Sequence, residues 1–144
     1  MTLVANRPEA GAARPYAFPE IRRASVAGGT VIAAHLPGQL LASSMLMLDA
    51  GAAHESAGRE GTATVLAKSL EEGTKTRNSA AYALALEGLG AELSASVDWD
   101  SFRVGVSAPV PLLLRAVRLA AEAAAYALTP ESRVTLTYVP EENA

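Results

Sequence analysis

Apolar and polar positions divide the chain into nine segments. Ile21 to Ala27 and Thr30 to Leu36 are apolar-rich runs on either side of Gly28-Gly29, a two-residue connection of the kind that closes a hairpin. After Pro37-Gly38, the run Leu40 to Ala50 is apolar at nearly every position, which predicts a central strand buried on both faces. A polar loop, Gly51 to Ser56, carries His54 and Glu55. From Gly58 to Thr74 the spacing turns helical: Val65, Leu66 and Leu70 recur every three to four residues, with Thr62 and Ser69 filling in, and form a flank expected to pack inward. The other flank carries Thr64, Ala67, Lys68 and Glu71 at i, i+3, i+4 and i+7, so these four side chains are expected to line whatever cleft the helix borders.

A second helix follows, capped by Asn78 or Ser79, with Ala81, Leu84, Ala85 and Leu89 as its inward stripe and Gly90 at its end. Ala91 to Val97 and Ser101 to Ser107 alternate around Asp98-Trp99-Asp100, a second hairpin. Pro109 and Pro111 open the third and longest helix, Leu112 to Leu128, whose wet side carries Arg115, Arg118 and Glu122. Thr129 to Ser132 breaks it, and Arg133 to Val139 alternates as a last strand. Three strands, two helices, two strands, a helix and a strand predict an α+β fold, a largely antiparallel sheet with helices packed on one face. Residues 1–19, rich in Ala, Pro and Arg, read as an extended arm, 20–140 as a single domain and 141–144 as a tail.

Composition narrows the function. Half of the 144 residues are hydrophobic but only 5% are aromatic, so the core is built from Ala, Leu and Val. A net charge of −3 gives no footprint for nucleic acid, which shows as clustered Lys and Arg on a basic domain. Cysteine is absent, which excludes disulfides, thiolate metal sites and a cysteine nucleophile. The longest uncharged stretch, Ala24 to Leu48, is interrupted by Gly28-Gly29 and Pro37-Gly38 and makes no membrane-spanning helix, and Met1 to Asn6 has neither the basic region nor the apolar run of a secretory signal. A cytoplasmic protein is the expectation.

Several motifs in order resemble the insulinase/pitrilysin family of zinc peptidases. They are Leu46 to Ala52, Glu55, Gly61 to Leu70, Glu72-Gly73-Thr74, the later run Leu86 to Ser96, and the arm Arg14 to Pro19. The likeness covers roughly residues 14–125 and implies one shortened insulinase-like half. That family's inverted zinc motif, H-x-x-E-H, lies on the corresponding helix. Its two histidines and its glutamate fall at Thr64, Lys68 and Ala67, which offer a poor donor, a repelling ammonium and no donor at all. The family's distal glutamate ligand has no clear counterpart, because the chain leaves the pattern near Glu122. The stretch Ala127 to Pro140 resembles the close of a second family repeat, as if a middle section were missing.

The resemblance therefore implies no catalytic residues, no metal and no cofactor. It implies a pseudopeptidase that packs against a catalytic insulinase-family chain and helps form a chamber holding extended peptide. A structural homo-oligomer and a residual zinc metallopeptidase are the alternative readings. Other candidates carry less. His54-Glu55 begins like H-E-x-x-H but meets Gly58, and His35 stands alone on the second strand. Asp98 and Asp100 read as turn formers beside Trp99, with Glu92 set apart on the strand before them.

Overall fold

The computed structural model describes residues 11–13, 15 and 17–127. They divide into two compact units, one within residues 1–38 and one beginning at Gln39. Most of the N-terminal arm, and the whole strand expected at Arg133 to Val139, lie outside the described residues.

The first unit is a hairpin of β1 (Ile21–Val26) and β2 (Gly29–Ala34), antiparallel and in register from Ile21 opposite Ala34 to Val26 opposite Gly29. The turn is Ala27-Gly28, one residue earlier than Gly28-Gly29. Pairing Val26 with Gly29 leaves two connecting residues, and the right-handed twist of the strands requires a positive φ at both. They have it, 49° at Ala27 and 82° at Gly28. Glycine adopts that conformation freely, whereas for alanine the left-handed region costs about 1 kcal/mol.

The second unit is built on a three-stranded antiparallel sheet of β3 (Leu41–Leu48), β4 (Glu92–Val97) and β5 (Phe102–Pro109), in the order β3-β5-β4. Leu48 lies opposite Phe102 and Leu41 opposite Pro109, while Val97 closes the β4–β5 hairpin against Phe102. Three helices follow the expected order: α1 (Thr62–Ser69), α2 (Ser79–Glu87) and α3 (Leu113–Ala127). One face of β5, comprising Phe102, Val104, Val106 and Ala108, meets Leu93 of β4 and the inward alanines of α3, Ala116, Ala120, Ala123 and Ala124. Alanines along that stripe bring α3 close to the sheet. The fold is α+β with its helices on one sheet face, as the order of elements predicts.

Three sequence expectations are corrected. The run Leu40 to Ala50 is an edge strand, not the central one: β3 pairs only with β5 among the described residues, and Met45 and Met47 on its outer face are 62% and 61% exposed. An unbroken apolar run does not say how many neighbours it has, and the central place went to β5, which pairs with its hairpin mate and with β3. In α2, Tyr82 and Leu86 are buried while Leu84 and Ala81 are exposed. Seven of the nine residues of α2 are apolar, so periodicity selects no face. Its phase follows instead from burial of the Tyr82 ring and Leu86 in the core, with the Tyr82 hydroxyl donating to the Leu119 carbonyl at 3.1 Å. In α1 the buried residues are Ala63 and Ala67, followed by Leu70, with Leu66 half-buried against the core and Thr62 exposed.

Candidate functional site

Helix α1 is held at both ends by side chains remote in sequence. Its N-cap is Gly61, at a φ of 90°, with no capping side chain of its own. The Glu55 carboxylate supplies the missing acceptor: it takes the Gly61 N–H on Oε2 and the Ala63 N–H on Oε1, both at 2.7 Å. An anion there also faces the positive end of the helix. Glu55→Ala is expected to cost about 1 kcal/mol, the usual worth of an N-cap side chain. Urea unfolding followed by circular dichroism reads that loss, and an unchanged midpoint contradicts the capping role.

Beyond α1, a 3-10 turn over Leu70–Glu72 leads into Gly73, and the segment that follows is tied to α3 through Glu122. One Glu122 oxygen accepts from the Thr74 and Thr76 hydroxyls at 2.8 and 2.5 Å, and the other accepts from Arg77 at 2.6 Å. The Thr76 and Thr74 hydrogen bonds, and then Arg77, hold the Glu122 carboxyl below the usual carboxylate range. These partners lie more than forty residues away in the chain, so no local pattern announces them.

Between these anchors α1 packs on β4 and β5. Thr64, Lys68 and Glu71 are exposed, but Ala67 is not a lining residue: it is 7% exposed and belongs to the core with Leu70 and Tyr82. A four-residue stripe on so short a helix spans more than its open side, and the smallest of the four turned inward. Strand β4 leaves its outer edge unpaired among the described residues, a row of backbone donors and acceptors next to this helix.

Exposed His54 approaches exposed Asp49 at 3.7 Å, and His35 lies just past β2 in the other unit. Asp98 does form the turn: one carboxylate oxygen accepts from Ser101 N–H at 2.7 Å, from the Ser101 hydroxyl at 3.0 Å and from Asp100 N–H at 3.1 Å, while the other meets Arg103. The Ser101 hydrogen bonds lead in lowering its pKa. Among the described residues, no group of three or more His, Asp or Glu side chains is placed to hold a metal ion. The α1 side chains do not fit one either, because catalytic zinc takes three nitrogen, sulfur or carboxylate donors and this face presents a hydroxyl, a buried methyl and an ammonium. No helix among the described residues is long and apolar enough to cross a membrane.

A small antiparallel sheet with helices layered on one face defines an α+β half-domain. The sequence profile of insulinase, peptidase family M16, matches residues 30–135, and the chain belongs to that family. Among solved structures it is similar to a protease from Helicobacter pylori, at 20% identity and a TM-score of 0.65 over 73% of this chain and 25% of that one. It is also similar to a peptidase M16 inactive domain from Pseudomonas fluorescens, at 23% identity and a TM-score of 0.65 over 72% of this chain and 26% of that one. At these identities the likeness is one of fold. The chain spans about a quarter of the length of either. No curated protein sequence matches it significantly.

Proposed function

We propose that this chain is a non-catalytic insulinase-family subunit that packs against a zinc-bearing family member and contributes one wall of a peptide-binding chamber. The reading is supported by the state of α1, a capped, packed and anchored helix, taken with the sequence resemblance, by which Thr64, Ala67 and Lys68 would take the places of the His, Glu and His of the family's inverted motif. A buried alanine in place of the water-activating glutamate would supply no base. The unpaired edge of β4 suits an extended peptide, because a strand added there gains backbone hydrogen bonds without regard to its side chains.

Co-expression with a family member that retains H-x-x-E-H tests the assembly, with light scattering on the eluted species. A stable hetero-complex containing both chains is expected, with peptide cleavage that requires the partner's motif. Two separate monomer peaks overturn the reading, and so does a homo-oligomer of this chain that excludes the partner. Chelator-sensitive cleavage by this chain alone overturns it in the other direction.

A further inference from the structure

A groove of about 440 Å³ runs between α2 and α3, and no α1 residue lines it. Its apolar lining comes from Leu84, Leu89 and Leu119, and its charged rim from Arg77, Arg115, Arg118 and Glu122. The charges do not cancel. Glu122 is taken by Arg77 and two threonine hydroxyls, whereas Arg115 and Arg118 make no ion pair among the described residues. Two guanidinium groups without an ion pair among the described residues therefore line one groove of mixed polar and apolar surface, on a chain whose net charge is −3.

Helix stability does not explain them. Arg115 lies in the first turn of α3, where the macrodipole disfavours a cation, and that turn contains no acidic residue to offset it. Nor does burial: both arginines are exposed, and Leu84 of α2 is 67% exposed. Exposed Leu84 beside two cations that make no ion pair among the described residues is the complement of an amphipathic acidic surface. Arg115 and Arg118 are separated by three residues, so they occupy one side of α3, about one turn apart. Carboxylates three or four residues apart on a partner helix have the same spacing, and the leucines next to them would reach Leu84 and the rim of the largely buried Leu89.

We infer that the α2–α3 groove docks an acidic amphipathic helix of another polypeptide, with a pair of carboxylates on Arg115 and Arg118 and flanking apolar side chains against Leu84, Leu89 and Leu119. A helix laid in an apolar groove is a common mode of peptide recognition, and here the arginines set its polarity requirement. The groove's volume takes a few side chains from one face of such a helix. The inference stands apart from the assembly proposed above, since no α1 side chain and neither sheet edge enters it, and its test uses this chain alone.

Fluorescence anisotropy with the full chain and a labelled helical peptide tests it, the peptide carrying glutamates at i and i+4 beside leucines on one face. Saturable binding is expected, weakened by added salt and at least tenfold in Arg115→Glu/Arg118→Glu. A lysine-for-glutamate version of the peptide should bind that variant better than it binds the wild-type chain. Arg115→Gln/Arg118→Gln gives the same reading without introducing repulsion, and circular dichroism confirms that each variant is folded. No binding by the wild-type chain overturns the inference, as does equal binding of a glutamine-for-glutamate peptide or binding by the arginine variants as tight as that of the wild-type chain. Displacement of the peptide by millimolar inorganic phosphate also overturns it, because it would mark a simple anion site.

Discussion

Tyr82→Ala is expected to unfold the helical layer. Tyr82 is fully buried where α2 meets the rest of the core, and removing so large a side chain from a packed interior costs about 3–5 kcal/mol. Domains of this size are stable by only about 5–15 kcal/mol, so the variant loses much of its margin. Tyr82→Phe separates packing from the hydroxyl: it keeps the ring, gives up the hydrogen bond to the Leu119 carbonyl, and is expected to lose only about 1 kcal/mol. The pair also differs in alkali. Burial, reinforced by the charges of Glu122 and Glu71, pushes the Tyr82 pKa up from 10.0 to about 12. The folded state thus prefers the neutral phenol, so this stability is fully present below the unfolded pKa and is lost as pH rises from about 10 toward 12. Urea titrations across that range should show the alkaline loss in the wild-type chain and a smaller one in Tyr82→Phe. Matching pH profiles for the two, or a Tyr82→Ala midpoint close to wild type, would contradict the placement.

Gly51→Ala carries the second large effect. A Cβ at Gly51 would lie 2.5 Å from both the Asp100 carbonyl carbon and the Ser101 nitrogen, and would run into the Trp99 carbonyl oxygen. All three are backbone atoms, so no side chain can swing aside. The same contact zips the loop after β3 to the β4–β5 turn, with Ala52 N–H donating to the Asp98 carbonyl at 3.0 Å and Ala53 N–H to the Trp99 carbonyl at 2.9 Å. Forcing the two segments apart breaks those bonds and shifts Glu55 away from the start of α1. Overpacking costs about 1–3 kcal/mol, and the lost hydrogen bonds add to it. At roughly 4 °C or more of Tm per kcal/mol for a domain of this size, a depression of about 10 °C is expected by calorimetry. A shift of about 2 °C or less would mean that the loop yields freely.

How much of this was legible depended on whether the deciding interaction was local. The β4–β5 hairpin is written in alternation and in an aspartate that gathers the N–H groups of its own turn, so Asp98 was readable as a turn former from neighbouring residues alone. A cap of α2 at Asn78 or Ser79 was readable for the same reason, and the structure selects Asn78, whose side chain accepts from Ala81 N–H, three residues on, at 2.9 Å. The Ala27-Gly28 turn was missed by one residue, because a glycine pair suggests where a turn is but register with the far strand sets which two residues bend. The capping role of Glu55 was missed because its partners begin six residues later, across a loop with no period. The Glu122 cluster was missed because its hydroxyl and guanidinium partners reach it from an earlier segment of the chain.

By itself the sequence determined the order of the elements from β1 to α3 and the α+β class, because these follow from periodicity and turn residues. Only the tertiary structure decided that β3 pairs with β5 alone among the described residues, that Ala67 belongs to the core, that α2 turns Tyr82 inward, and that Arg115 and Arg118 line a groove with Leu84 and form no ion pair among the described residues. Each of those depends on which surfaces meet when distant segments pack, and in a chain so rich in alanine and leucine many helix faces are apolar enough to serve. Packing and a few long-range hydrogen bonds therefore made the choice that the pattern left open.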